Sequence, residues 1–339
     1  MRIGILDEHP EWSARLIAEL ERRGLVVDRI DHSSHAFDPS ERQARHDVIV
    51  NRSSPSSHRR GHASVLFYTE ALLDHYAALG VPVINPVAAY RFEKSKALQV
   101  GLFERLGVRY PRTVVVNHPD QLRKAADGVR FPVLVKPNVG GSGALIERVD
   151  DRDALETRAG ALDFGPDGVA LLQEYVEPRD GAIVRIEVLD GRALYAIRIV
   201  KRAEDFNLCP ADICQVPPAT GGLGAPLYRS AASTSSVGGP RETGGACPVD
   251  ARPGLEVTRY DAPDDVVAQA IALTRAASID VGGVEYLVSA RDGLPYFYDV
   301  NATSNFVADA PRVLGFDPFP AFADYIVRVA GGAAVRAAA

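Results

Sequence analysis

The chain has 339 residues, 46% hydrophobic and 24% charged, with a formal net charge of 38 − 44 = −6. That composition is ordinary for a globular protein, and the length suits two or three compact units rather than one simple core. It argues against nucleic-acid binding, which calls for a basic surface, and no apolar run approaches the ~20 residues of a membrane span. Short basic pairs such as Arg59-Arg60 and Lys201-Arg202 read as solvated faces, not a binding stripe. "MRIGILDEHPEW" is broken by Asp7, Glu8 and Pro10 before a leader could form. Three cysteines, Cys209, Cys214 and Cys247, are a sparse, odd set that fits a reducing, cytoplasmic setting.

The elements follow in chain order. "RIGILD" (2–7) is a short strand, and 11–24 an amphipathic helix with Leu16, Ile17 and Leu20 on one face. Strands follow at 25–31 and 47–53, a helix at 64–80 and a strand at 81–86. This alternation predicts an α/β, doubly wound parallel-sheet domain over residues 1–86. A helix is expected over 88–107, strands at 108–116 and 131–136 around a short helix at 118–129, and a strand within 168–178. Two hairpins are expected. One spans 181–202 and turns at Asp190-Gly191; the other spans 282–302 and turns at Asp292-Gly293, with a helix at about 263–277 between them. The Gly/Ser/Pro-rich stretch 215–254 has no usable period and reads as an insertion or a cover. The last residues, 331–339, read as a frayed tail.

Three stretches carry chemistry. "FPVLVKPNVGGSGALI" places Lys136 in an apolar strand, where an unpaired charge is costly, and follows it with glycines. One reading is a phosphate cradle, in which glycines let backbone N–H groups approach oxygens and Lys136 adds a point charge. The other is a glycine turn with a snorkelling lysine. "LLQEYVEP" is either an extended adenine edge at Glu174, Tyr175 and Val176 or a plain strand end. "GVEYLVSARDGLPYFYDVNATSNF" sets Glu285 on one hairpin strand and Asp299 and Asn301, two apart, on one face of its return. Hard oxygen ligands so arranged suit Mg²⁺ (or Mn²⁺) held between carboxylates and phosphates. The alternative, a solvated acidic face, sits poorly with the apolar "YFYDV" around it.

In this order the stretches resemble the ATP-grasp superfamily, in particular the ribosomal-protein-modifying glutamate ligases, glutathione synthase and D-alanine–D-alanine ligase. The likeness covers nearly the whole chain. It implies an ATP-grasp domain of two α+β lobes, 87–178 and 179–330, after the N-terminal domain. The resemblance assigns Lys94 and Lys136 to ATP phosphates, Gly140, Gly141, Ser142 and Gly143 to a loop closing over them, and Glu174, Tyr175 and Val176 to adenine. It assigns Glu285, Asp299 and Asn301 to the metal. Arg185 matches the arginine of the family's "DIR" run, whose aspartate is Ile183 here, with Asp180 as its substitute. Arg198 resembles a basic residue facing the transferred phosphate. The metal hairpin reverses the family's usual Asp-then-Glu order, and "ATSNFVAD" replaces its Pro-Gly turn, so Asn305 falls where acceptor substrates would sit.

The implied activity is ADP-forming carboxylate–amine ligation through an acyl phosphate, on a small carboxylate and a small amine. A small-molecule kinase or a non-catalytic ATP-binding regulator on the same scaffold is the alternative. Relatives of this kind often form dimers or tetramers, so the resemblance allows a homodimer or tetramer here. Asn51 and Arg52, at the carboxyl end of a parallel strand, are candidate contacts for an acidic substrate. Cys-x4-Cys with one distant cysteine and no nearby histidine is poor spacing for zinc.

Overall fold

The computed structural model describes residues 1–141, 143–201 and 255–337. Ser142, the 215–254 stretch and the three cysteines lie outside them.

The first unit runs β1 (Arg2–Asp7), α1 (Pro10–Arg22), β2 (Val26–Asp31), β3 (Val48–Asn51), α2 (Val65–Ala78) and β4 (Val83–Ile84). Its sheet has the order β2-β1-β3-β4, parallel throughout. Covered on both faces, β1 beyond Arg2 and all of β3 are buried. Leu16 and Leu20, one helical turn apart on α1, enter the core beneath.

The helix expected over 88–107 is two helices, α3 (Val87–Glu93) and α4 (Lys96–Arg105). Ser95 divides them. Its backbone is extended (φ −137°, ψ 104°) and its hydroxyl accepts the Leu98 N–H, so it caps α4.

Next come β5 (Thr113–Val116), α5 (Leu122–Ala125), β6 (Val133–Pro137), β7 (Glu147–Val149), α6 (Arg152–Arg158) and β8 (Ala170–Glu174). They form a four-stranded antiparallel sheet, β5-β8-β6-β7, over a core that includes Val133, Val135, Leu155 and Leu172. The third sheet holds β9 (Pro178–Leu189), β10 (Arg192–Lys201), β11 (Leu255–Arg259), β12 (Val281–Ser289) and β13 (Pro295–Asn301), with α7 (Asp264–Ala276) packed on it. Its order is β11-β10-β9-β12-β13, all antiparallel. β9 and β10 turn at Asp190-Gly191, both at positive φ (53° and 67°), as a two-residue hairpin requires.

After α8 (Ala310–Leu314), α9 (Phe319–Ala337) returns to the first unit. Phe319, Phe322 and Ile326 share a core with Leu16 and Leu20, and Arg23 pairs with Asp324 at 2.5 Å. The expected tail is thus helical to Ala337, consistent with the helix propensity of its alanines. Among the described residues no helix is long and apolar enough to cross a membrane.

Candidate active site

The two hairpins pack side by side because β12 pairs with both β9 and β13. The register sets Glu285 opposite Arg185 on one side and opposite Asp299 on the other. One row across three strands therefore reads Arg185, Glu285, Asp299. The next row is Glu187, Gly283, Asn301. Arg185 Nε donates to Glu187 Oε1 at 2.6 Å, and Nη1 to Glu285 Oε1 at 2.8 Å. Burial works against the Arg185 charge, but the two carboxylates more than offset it and raise its pKa. Burial lifts the Glu285 pKa against the pull of Arg185, and Asp299 pushes it further up. Asp299 moves the opposite way: burial is outweighed by Lys96 and Lys136. A register shift after Glu285 puts Tyr298 in a bulge, so it too lines the cleft.

Two lysines stand over this row. Lys136, on β6, is 4% exposed; its Nζ donates to Gln173 Oε1 at 3.3 Å and lies 5.7 Å from the Tyr298 ring centroid. Burial first, and Lys96 second, bring its pKa down to about 8. Lys96 begins α4 and places Nζ 2.9 Å from Asp299 Oδ1. Asn138 sets their spacing: its Oδ1 accepts from Ser95 Oγ at 3.0 Å and the Ala97 N–H at 2.8 Å, tying the end of β6 to the start of α4. Beyond Asn138, Gly140, Gly141 and Gly143 border the cleft. Gly143 has φ +68°, and a Cβ on Gly140 would meet nothing within 4 Å.

Glu174, Tyr175 and Val176 also line the cleft, between the two antiparallel sheets. The Glu174 N–H is spent on the Arg112 carbonyl (2.8 Å) and the Tyr175 N–H on the Pro132 carbonyl (2.9 Å). Among the described residues no backbone carbonyl takes the Val176 N–H. The Glu174 side chain faces Arg130, whose N–H it accepts at 3.0 Å.

Several expected residues are not brought to the cleft. Lys94 turns away, pairing with Glu70 at 2.8 Å; Lys96, two residues on, stands in its place. Asn51 is buried and donates to the Asn85 carbonyl. Arg52 is buried as well, its guanidinium engaged by the carbonyls of Trp12 and Ser304 and by Asn305 Oδ1, because the loop after β13 folds over it. Asn305 does line the cleft. Asp180 and Arg198 pair with each other at 3.9 Å outside it. Sequence reasoning missed Lys96, Glu187, Tyr298 and Glu93, all of which line it. Burial raises the Glu93 pKa to about 7, against the N–H of Ala302.

Does this set fit a magnesium ion? Among the described residues no three His, Cys, Asp or Glu side chains converge tightly enough to hold a metal. Glu285, Asp299 and the Asn301 amide offer two carboxylates and one carbonyl oxygen. That is a fit for Mg²⁺ completed by phosphate oxygens and water, not for a cation caged by protein alone. Among the described residues the buried Glu187 Oε2 and Asn301 Nδ2 have no hydrogen-bond partner, which marks this wall as built for something further.

Residues 93–209 match the RimK-like ATP-grasp domain. The chain is similar to the probable alpha-L-glutamate ligase 1 of Shewanella denitrificans, 27% identical over 223 residues, which span 61% of this chain and 72% of that one. Its structure is similar to that of the ATP-grasp ligase PsnB complexed with minimal precursor, at TM-score 0.63 and 17% identity, covering 97% of this chain and 99% of that one. D-alanine–D-alanine ligase from Bacillus anthracis matches at TM-score 0.62 and 18% identity over 99% of this chain and 98% of that one. The molecule has the ATP-grasp fold over nearly its whole length. Within that fold, residues 93–209 are the part that matches the RimK-like ATP-grasp domain.

Proposed function

We propose that the protein is an ADP-forming carboxylate–amine ligase that works through an acyl phosphate. The observation that carries this reading is the level row Arg185, Glu285 and Asp299 beneath Lys96 and Lys136. It puts cations and hard anions together in the cleft that the 174–176 segment also lines. The three sheets support three units, 1–86, 87–178 and 179–330, with the cleft between them.

In this reading the Glu174 carbonyl and the Val176 N–H receive the adenine edge. Lys136, Lys96 and the loop at Gly140, Gly141 and Gly143 hold the phosphates. Glu285, Asp299 and Asn301 would hold Mg²⁺, which would offset the charge of the phosphates during transfer; PsnB has been solved with Mg and ADP. A substrate carboxylate oxygen attacks the γ-phosphorus, and ADP leaves. The amine then attacks the acyl carbon, loses a proton, and expels phosphate. Arg185, fixed by Glu187, stabilises the equatorial oxygens of the transferring group and the later oxyanion. No protein nucleophile is required. The acyl phosphate is prone to hydrolysis, so the glycine loop's second task is to exclude water.

The acid and amine are small carboxylates or amino acids, seated near Thr303, Ser304 and Asn305, which follow the metal residues in the chain and line the cleft. A cytoplasmic setting, where ATP is supplied, goes with this reading. The test is a phosphate-release screen of carboxylates against pooled amines. ADP and phosphate should appear only when both are present. A stable phosphorylated product without free phosphate would make it a kinase, and the ligation reading would fall.

A further inference from the structure

Among the described residues β13 is an edge strand of its sheet, with no strand beside the outward N–H and C=O groups of its alternate residues. Those groups are not left to water. The Phe297 N–H goes to the Arg109 carbonyl at 2.8 Å, and from Val300 onward three side chains from outside the sheet take them in turn. Gln99, on α4, meets Val300 on both sides: Nε2 donates to the Val300 carbonyl at 2.8 Å and Oε1 accepts the Val300 N–H at 3.1 Å. Glu93, the last residue of α3, accepts the N–H groups of Ala302 and Thr303 on Oε2. Asn85, just after β4, donates to the carbonyls of Ala302 and Val281. It also accepts the Asp280 N–H at 2.8 Å, so it joins the start of β12 to the end of β13. All three side chains are buried.

The groups they hold alternate with the functional ones. Asp299 and Asn301 pair inward with Glu285 and Gly283, while residues 300 and 302 face outward to the three side chains. α4 carries both kinds of contact: Lys96 reaches the Asp299 carboxylate, and Gln99, one turn on, holds the next peptide.

We infer that Gln99, Glu93 and Asn85 are positioning residues, a substitute strand of side chains that fixes the backbone between and beyond Asp299 and Asn301. The inference rests on reading those two as magnesium residues. Bidentate capture of Val300 pins the peptide between them, so the Asp299 and Asn301 side chains hold their separation without help from a bound ion. Loss of that restraint lets the strand end fray and weakens metal capture more than nucleotide capture.

The experiment measures binding of a non-hydrolysable ATP analogue by calorimetry across a Mg²⁺ titration, with thermal melting alongside. It compares the full-length wild type, Asp299→Asn, Gln99→Leu, Glu93→Leu and Glu93→Gln. Gln99→Leu and Glu93→Leu should raise the half-saturating Mg²⁺ concentration at least tenfold and leave analogue binding without Mg²⁺ within twofold. Glu93→Gln keeps an acceptor for the two N–H groups and should stay within threefold of wild type. An unchanged Mg²⁺ requirement in the leucine variants, or a glutamine variant as impaired as the leucine one, would overturn the inference. Should a leucine variant not fold, the Glu93→Gln comparison and a Gln99→Glu variant, which loses the donors but keeps the acceptor, decide by the same criterion. Insensitivity of Asp299→Asn and wild type to Mg²⁺ would instead overturn the metal reading itself, and the inference with it.

Discussion

Gly283→Ala is a small change with a large expected cost. Gly283 lies between Glu187 and Asn301 in the sheet, and the Arg185 side chain crosses over it. A Cβ there would stand 2.5 Å from Arg185 Nε and nearer still to Cζ and Nη2, where real Cβ atoms essentially never come within 3.0 Å. The guanidinium cannot yield cheaply, since it is buried and held by Glu187 and Glu285. Placing alanine for glycine inside a strand would on its own stabilise by ~0.5–1 kcal/mol. Breaking a buried ion pair costs about 3–5 kcal/mol. The net expectation is a loss of about 2–4 kcal/mol, read as a lower urea midpoint. If Arg185 has the proposed role toward the transferring phosphoryl, displacing it should also cost about 10²–10³ in kcat. A Gly283→Ala protein as stable and active as wild type would refute both the placement of Arg185 and the role given to it.

Two further outcomes follow from the lysines. Lys96→Ala should lower kcat/KM for ATP by about a hundredfold, roughly the worth of a desolvated charged contact. Lys94→Ala removes a partly exposed pair with Glu70, worth about 0–1 kcal/mol, and contacts with the Leu66 carbonyl and the Phe67 ring, all outside the cleft, and should leave the rate nearly unchanged. Equal losses in the two would return the role to Lys94. The second concerns pH. Burial lowers the Lys136 pKa to about 8, so in the free protein its charge is present below that pH and lost as pH rises through it. kcat/KM for ATP, which reports the free protein, should therefore fall above about pH 8. Lys136→Arg should move this limb to higher pH, since guanidinium stays charged. A limb that stays at the same pH in the arginine variant belongs to another group.

Much of this site was legible in the chain. The Asp-Gly pairs at 190–191 and 292–293 mark both hairpins, and strand alternation puts Asp299 and Asn301 on one face. The same alternation, applied to "RIE", would have found Glu187 two residues after Arg185. Lys96 was hidden because α3 and α4 read as one continuous period; only the capping capacity of Ser95 marks the break, and Lys94 was chosen in its place. Asn51 and Arg52 sit at the carboxyl end of a parallel strand, where ligands commonly bind, but Asn51 is taken up by the Asn85 carbonyl and the loop at 304–305 returns across Arg52. That closure, like the hold of Gln99 and Glu93 on β13, joins residues some two hundred positions apart and leaves no local pattern to read.

The most direct test of the central claim follows an oxygen atom. The substrate carboxylate is labelled with ¹⁸O, ligation is run to completion, and the released phosphate is weighed by mass spectrometry. Attack of the carboxylate on ATP followed by expulsion of phosphate must carry one labelled oxygen into each phosphate. Unlabelled phosphate alongside ligated product would mean that no acyl phosphate forms, and the mechanism proposed for this cleft would be wrong.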